Sequence, residues 1–310
     1  MESRPLGRSG LLVSAVGFGG MPIAGGFYGE TDDADSLAAL ARALELGCTL
    51  FDTADVYGNG RSERLVGAAI AGRRPSDAPI VVATKAGLAS PDGHRPEKLL
   101  LSFEASRARL GVGAIGLFLL HDPPRATIAD EAVLDLLRRL KAEGRARAIG
   151  VSVVSPEDGL AALDAGAYDA IEVEANLLRP EPLHTLAPRA AERSVAILVK
   201  VPLDHGILSG KYGASARFGP GDFRAHAPRE ELVWRARAVA DLAFLWKEGR
   251  GRTPAQAALR YLLDAEGVTS VLPGAKTQAQ AEEAMAASRV PPLSPEERER
   301  VRELQRRGWK

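Results

Sequence analysis

The chain is nearly free of cysteine. Cys48 is the single one in 310 residues, so no internal disulfide can form. It lies in the apolar stretch CTLF and reads as a small buried hydrophobe rather than a reactive thiol. Net charge is absent too. Forty basic and forty acidic side chains cancel, leaving no field to draw in nucleic acid or an anionic membrane. No apolar run approaches the length of a membrane span. The opening MESRPLGRSG lacks the hydrophobic region of a signal peptide, so a cytoplasmic protein is expected. The histidines, at 94, 121, 184, 205 and 226, have no metal-ligand spacing. The dinucleotide fingerprint of open α/β folds is missing as well. Its nearest candidate, GFGGMP (17–22), has Pro22 where the third glycine belongs. GILSGKY (206–212) is one residue short of a P-loop, and Tyr212 stands where Ser or Thr would hold magnesium.

What is present is a rhythm. Apolar residues make up 45% of the chain, ample for a core without disulfides or a structural metal. Short runs rich in Val, Ile and Leu read as buried parallel strands: VSAVGFGG (13–20), CTLFD (48–52), IVVATK (80–85), IGLFLLH (115–121), RAIGVS (147–152), AIEVEA (170–175), VAILVKV (195–201) and VTSVLPG (268–274). Helical spacing fills the gaps. Residues 35–47 carry Leu37, Leu40 and Leu44 and close on Gly47, residues 130–145 close on Gly144, and residues 155–166 begin Ser-Pro-Glu-Asp. About eight such units imply a parallel sheet covered by helices. Length favours a closed (β/α)8 barrel, which typically takes about 250 residues, over an open doubly wound sheet. The start, RPLGRSGLLVSA (4–15), is expected to form a β-hairpin plugging one end. Residues 205–230, rich in Gly, Pro and Ala, read as a functional loop. No composition break divides the chain, so residues 1–310 are expected to form a single barrel domain.

Barrels of this kind place chemistry at the C-terminal ends of their strands. Asp52, Lys85 and His121 end the second, third and fourth strands, and Tyr57 follows the second. Each has an ordinary alternative: a helix cap, a solvated lysine, a structural histidine, a loop aromatic. Their joint placement at one mouth favours chemistry. A phenol is a poor acid at neutral pH, with a reference pKa of about 10. A nearby ammonium lowers it. Lys85 can act so on Tyr57, with Asp52 holding Lys85 charged, while His121 donates to a carbonyl oxygen as charge develops there. A hydride must come from a cofactor.

The sequence resembles the aldo-keto reductase family. The resemblance rests on Gly47-x-x-x-Phe51-Asp52-Thr53-Ala54-x-x-Tyr57-Gly58 and Ser62-Glu63-x-x-x-Gly67. VVATK (81–85), LFLLHDPP (117–124), GVS (150–152), NLL (176–178), PLDHGILSGKY (202–212) and VLPGAKTQAQAEE (271–283) follow in order. The resemblance implies a (β/α)8 barrel with NADP(H) extended across its C-terminal face. Asp52, Tyr57, Lys85 and His121 match the family's catalytic tetrad. Gly20 and Met21 match positions beside the nicotinamide ribose, Ser152 the serine that bonds the carboxamide, and Glu172 its neighbouring glutamine. Lys200 falls where an aromatic ring often stacks on the nicotinamide. Pro202, Leu203 and Lys211 match the loop over the diphosphate, and Gly274, Lys276, Gln280 and Glu283 the adenosine end. A cation at 276 suits a 2′-phosphate and so NADP(H).

The departures concern the cofactor's seat. Val153 replaces an asparagine, Glu172 the glutamine, Ala175 a tyrosine, Lys200 the stacking aromatic and Ala284 an adenine-binding asparagine. The expected partner is a small carbonyl or alcohol substrate, selected by loops at roughly 22–31, 87–96 and 204–228. These carry few aromatics. No nucleic acid or membrane is expected, no metal, and no oligomer is implied. A second reading is an NADP(H)-binding regulatory or scaffold subunit with little turnover. Trp309 is expected either to anchor the C-terminal tail or to cover the mouth.

Overall fold

Ten strands organise the described residues. In the computed structural model, residues 1–72, 77–90, 92–247 and 249–309 are described; Pro91 of the 87–96 loop and the terminal Lys310 lie outside them. Strands β1 (Ser3–Pro5) and β2 (Leu12–Ser14) pair antiparallel, Ser3 opposite Ser14. The other eight are β3 (Phe18–Gly19), β4 (Leu50–Asp52), β5 (Val81–Ala86), β6 (Ile115–His121), β7 (Ala146–Val153), β8 (Ala170–Glu174), β9 (Ala196–Lys200) and β10 (Val268–Val271). They form one parallel sheet in sequence order. Bridges Val16–Val271 and Gly19–Gly274 join the last strand to the first. The sheet therefore closes, and the fold is a (β/α)8 barrel with an N-terminal hairpin.

Several helices begin where the sequence supplies a cap. Asp32 accepts from the amides of Ala34 and Asp35, so the first helix runs Asp33–Glu45 and starts two residues earlier than its leucine spacing suggests. Asp130 caps Glu131–Ala142, which buries Val133, Leu134, Leu136, Leu137 and Leu140 on one face. Ser155 caps Pro156–Ala165, with Pro156 in the first turn. The 204–228 segment holds only two 3₁₀ turns, Asp204–Ser209 and Phe223–His226. No helix of the described residues is long and apolar enough to cross a membrane.

Side-chain alternation then sorts each strand. On β6, Leu117 and Leu119 join the cluster inside the barrel, while Phe118 and Leu120 face the helices. The hairpin adds Leu6 and Val13 to the interior cluster and so stops its lower end. Gly7 permits this. Its φ is +54°, and a Cβ there would collide with the carbonyl of Asp169 at the foot of β8. Trp309 is buried with Leu293 and Val301 in a separate cluster; it anchors the tail, and it does not line the cleft described below.

Candidate active site

The same alternation delivers a ring of polar groups to the upper end. Near the upper ends of six successive strands the inward residues are Asp52, Lys85, His121, Ser152, Glu172 and Lys200, on the same faces as Leu50, Ala83, Leu119, Ala148, Ala170 and Leu198 of the interior cluster. All but Lys200 are at most 5% exposed. Ser152 lies opposite both His121 and Glu172 in the ladder.

Lys85 sits at the centre. Its Nζ donates to Asp52 Oδ1 at 2.5 Å and to the Thr53 carbonyl at 3.1 Å, with Glu172 Oε2 at 3.3 Å. It lies 5.3 Å from the Tyr57 ring centroid. The His121 ring meets the Tyr57 ring edge-on, centroids 5.8 Å apart. Burial opposes the charge on Lys85, but the carboxylates of Asp52 and Glu172 outweigh it and hold the ammonium firmly protonated. Burial, then the charge of Lys85, push His121 down to about 3, so its ring is neutral. Burial also raises the Tyr57 phenol above its ordinary value. Lys85 pulls it down as expected, but Asp52, Glu172 and Asp122 push it up again, so the net direction is upward. Two carboxylates already neutralise the ammonium on which the sequence argument relied.

A second cluster flanks the first. Lys200 Nζ donates to Asp122 Oδ1 at 2.7 Å and to Ser152 Oγ at 2.8 Å, and the Ser152 hydroxyl donates to Asp122 Oδ1 at 2.9 Å. Lys200 is therefore a fixed ion pair instead of a flexible cover. Burial alone would raise the Asp122 carboxyl; the Lys200 ammonium holds it below its ordinary range. Asp122 and Val201, each just past a strand end, have φ of +44° and +54°. For β-branched Val201 this is a strained conformation. Asp122 was not singled out from sequence. The only signal for it was an acid directly after the strand-end histidine.

A cleft of about 1110 Å³ opens over this ring. It is lined by Asp52, Tyr57, His121 and Glu172 and reaches Gly274, Lys276 and Gln280. Met21, Lys200, Pro202, Leu203, Lys211 and Glu283 also line it; Gly20, Lys85 and Ser152 lie behind its wall. Gly20 serves close packing. Its amide donates to the Asp52 carbonyl at 2.7 Å, and a Cβ would come within 2.5 Å of Ser62 Oγ. Two loops meet across the cleft. Tyr28 Oη and His205 Nδ1 are 2.8 Å apart, Phe27 stacks on Phe223 at 4.1 Å, and the Phe223 amide donates to the Phe27 carbonyl. Arg224, bonded to Asp222, covers the rings of Tyr28, Tyr212 and Phe218. Lys276 Nζ donates to the carbonyls of Tyr28 at 2.6 Å and Glu30 at 3.2 Å. Two histidines beyond His121 are held in place: His94 is turned to the His121 carbonyl at 3.0 Å, and His205 is held by Tyr28.

The donor set suits a long ligand with a polar head and an anionic tail. At one end His121 Nδ1 and Glu172 Oε2 are buried without hydrogen-bond partners. At the other, the helix Gln278–Ala286 presents its amino end beside Lys276, with Gln280 accepting from the Lys276 amide at 2.8 Å.

The model of the aldo/keto reductase family matches residues 15–306. The chain belongs to this family. It is 30% identical over 292 residues to the aldo-keto reductase YhdN of Bacillus subtilis, spanning 91% of this chain and 87% of that one. It is 29% identical to the NADH-specific methylglyoxal reductase of Escherichia coli, over 94% of each. The structure of a glycerol dehydrogenase from Gluconobacter oxydans superposes with a TM-score of 0.82 at 28% identity, covering 99% of this chain and 95% of that one. In this aldo/keto reductase the residues that carried the resemblance divide into two groups. Asp52, Tyr57, Lys85 and His121 converge at the mouth. Ser62, Glu63 and Gly67 instead fasten the helix Arg61–Ile70: Glu63 accepts from Thr84 at 2.6 Å and Arg109 at 2.5 Å, and Gly67 lets the Leu110 backbone approach.

Proposed function

We propose that this protein is an NADP(H)-dependent oxidoreductase interconverting aldehydes or ketones with alcohols, with Tyr57 donating the proton in reduction and accepting it, as phenolate, in oxidation. The observation that carries this reading is the meeting of Tyr57, His121 and the Lys85–Asp52 pair at the floor of one cleft. A bound nicotinamide dinucleotide supplies the hydride that no side chain can. The rest falls to the protein. The raised phenol of Tyr57 stays protonated at neutral pH, the form a general acid requires. Neutral His121 can donate a hydrogen bond to a carbonyl oxygen as it gains negative charge. Asp52 keeps Lys85 charged and oriented beneath Tyr57. Val56 and Leu203 give the cleft wall an apolar stretch.

In this reading Gly20, Met21, Ser152, Glu172 and Lys200 surround the nicotinamide end, with Gly20 and Ser152 acting from behind the wall. Pro202, Leu203 and Lys211 take the diphosphate, and Gly274, Lys276, Gln280 and Glu283 the adenosine. A lysine has three donors; the two carbonyls leave Lys276 one for a 2′-phosphate. That supports NADP(H), a choice family membership leaves open, since one relative is named as NADH-specific.

The test is NADPH consumption against a panel of aldehydes and ketones. Turnover is expected, and Tyr57→Phe should lower it by about 10²–10⁴-fold while leaving NADPH binding, read by tryptophan fluorescence, nearly intact. Tight binding with no turnover on any carbonyl would sink the enzyme reading in favour of a regulatory subunit.

A further inference from the structure

Charge is balanced at the flanking cluster, where one ammonium, Lys200, meets one carboxylate, Asp122. It is not balanced at the central one. Lys85 faces two carboxylates, Asp52 at 2.5 Å and Glu172 at 3.3 Å. Glu172 is fully buried. Its Oε1 lies 3.5 Å from Ser152 Oγ, but that hydroxyl is closer to Asp122 at 2.9 Å; its Oε2 has no hydrogen-bond donor. A buried carboxylate with one long hydrogen bond and an oxygen that has none is costly unless a charge compensates it. The surrounding elements offer little. β4 brings Asp52 and the loop after it Tyr57; β5 brings Lys85; β6 brings neutral His121, with Asp122 just beyond. β7 contributes only the Ser152 hydroxyl, and β9 brings Lys200, held by Asp122. Glu174, further along β8, turns to Arg179 at 2.8 Å.

We propose that Glu172 is a positioning residue, a second counter-ion of Lys85 that shares one proton with Asp52 in the ligand-free protein. Two carboxylates bound to one ammonium in a buried site carry an excess negative charge when both are ionised, and a shared proton removes it. Burial and the neighbouring Glu172 charge push Asp52 up to about 8 against the pull of Lys85, in keeping with that arrangement. A consequence rests on the reading of the cleft as a nicotinamide site. A cationic ring over Glu172 favours the fully ionised pair, so binding of NADP⁺ releases the shared proton to the buffer. Uncharged reduced nicotinamide has no such effect. Glu172 thereby favours the oxidised cofactor over the reduced one.

The first experiment needs no cofactor. Infrared difference spectroscopy of the ligand-free protein should show the carbonyl stretch of a buried protonated carboxyl group below about pH 8, lost as pH rises. Glu172→Gln, nearly isosteric, should abolish that band, because Asp52 then has Lys85 to itself. Asp52→Asn should abolish it too, for the mirror reason. No such band in the wild type at any pH, or an unchanged band in Glu172→Gln, overturns the proposal. The second experiment measures proton release on NADP⁺ binding by calorimetry in buffers of different ionisation enthalpy. Release is expected from the wild type and from Tyr57→Phe but not from Glu172→Gln. Release confined to proteins that retain Tyr57 would place the proton on the phenol and overturn the assignment to the pair. Failure of NADP⁺ to bind at all would count against the cofactor reading, while the infrared result would still decide the shared proton.

Discussion

Lys276 has two claims on it. Its ammonium holds the carbonyls of Tyr28 and Glu30, and in the proposed cofactor reading it also meets a 2′-phosphate. Lys276→Met should therefore raise the KM for NADPH about 10–100-fold, the equivalent of one charge-assisted hydrogen bond of about 1.5–3 kcal/mol. The KM for NADH should change by no more than a few fold, through the loosened loop alone. Equal increases with the two cofactors, in steady-state assays, would show that Lys276 acts only on the loop. Sequence reached some of these residues and not others for a physical reason. Asp52, Lys85 and His121 were legible because strand ends are short-range features, and the two-residue period fixes which way the last side chain points. Asp122 was not legible, since its meaning lies in Lys200, 78 positions away. The direction of the Tyr57 shift was misjudged because it is a sum over burial, one ammonium and three carboxylates. Spacing along a chain cannot perform that sum.

Among the elements, the two loops that cross the cleft have the clearest dynamic consequence. They join through the Tyr28–His205 bond, the Phe27–Phe223 stack and the Lys276 tether. Burial pushes His205 down to about 4, so at neutral pH its imidazole is uncharged and the bond to Tyr28 is between neutral groups. Such a bond contributes about 0.5–1.5 kcal/mol. If the strap must part for cofactor to leave, Tyr28→Phe should speed NADPH dissociation about 2–10-fold in stopped-flow fluorescence, with little change in the association rate. An unchanged dissociation rate would mean that the strap does not gate release. The strand and helix order was readable throughout, because parallel strands buried on both faces leave continuous apolar runs. β3 was the exception. It is only Phe18–Gly19, and single bridges to Val271 and Gly274 complete its side of the barrel, so the segment owes its place to closure more than to its own sequence. Loop-to-loop contact was likewise illegible, since it exists only once the barrel brings residues 27–28 beside 205 and 223.

For the molecule as a whole, forty positive and forty negative side chains balance, but the excess negative charge at the heart of the barrel does not average away. It makes stability depend on pH in an unusual direction. A carboxyl whose folded pKa is depressed stabilises the protein above its unfolded pKa. Asp52 is raised instead, to about 8, from an ordinary value of about 4. Between those limits the native state binds the extra proton and the unfolded state does not, so this contribution is fully present below about pH 4 and is lost as pH rises through about 8. Glu172→Gln removes the second carboxylate and leaves an ordinary Asp52–Lys85 pair. Urea midpoints followed across pH should therefore diverge. The variant should be more stable than the wild type on the alkaline side of about pH 8, by about 1–3 kcal/mol, the cost of one buried group left unsatisfied. That advantage should shrink as the solution is made acidic and the shared proton returns. The comparison of the two curves cancels the titrating groups that do not feel the charge of Glu172. Parallel curves would mean that the two carboxylates share no proton, or that groups other than Lys85 compensate their excess charge.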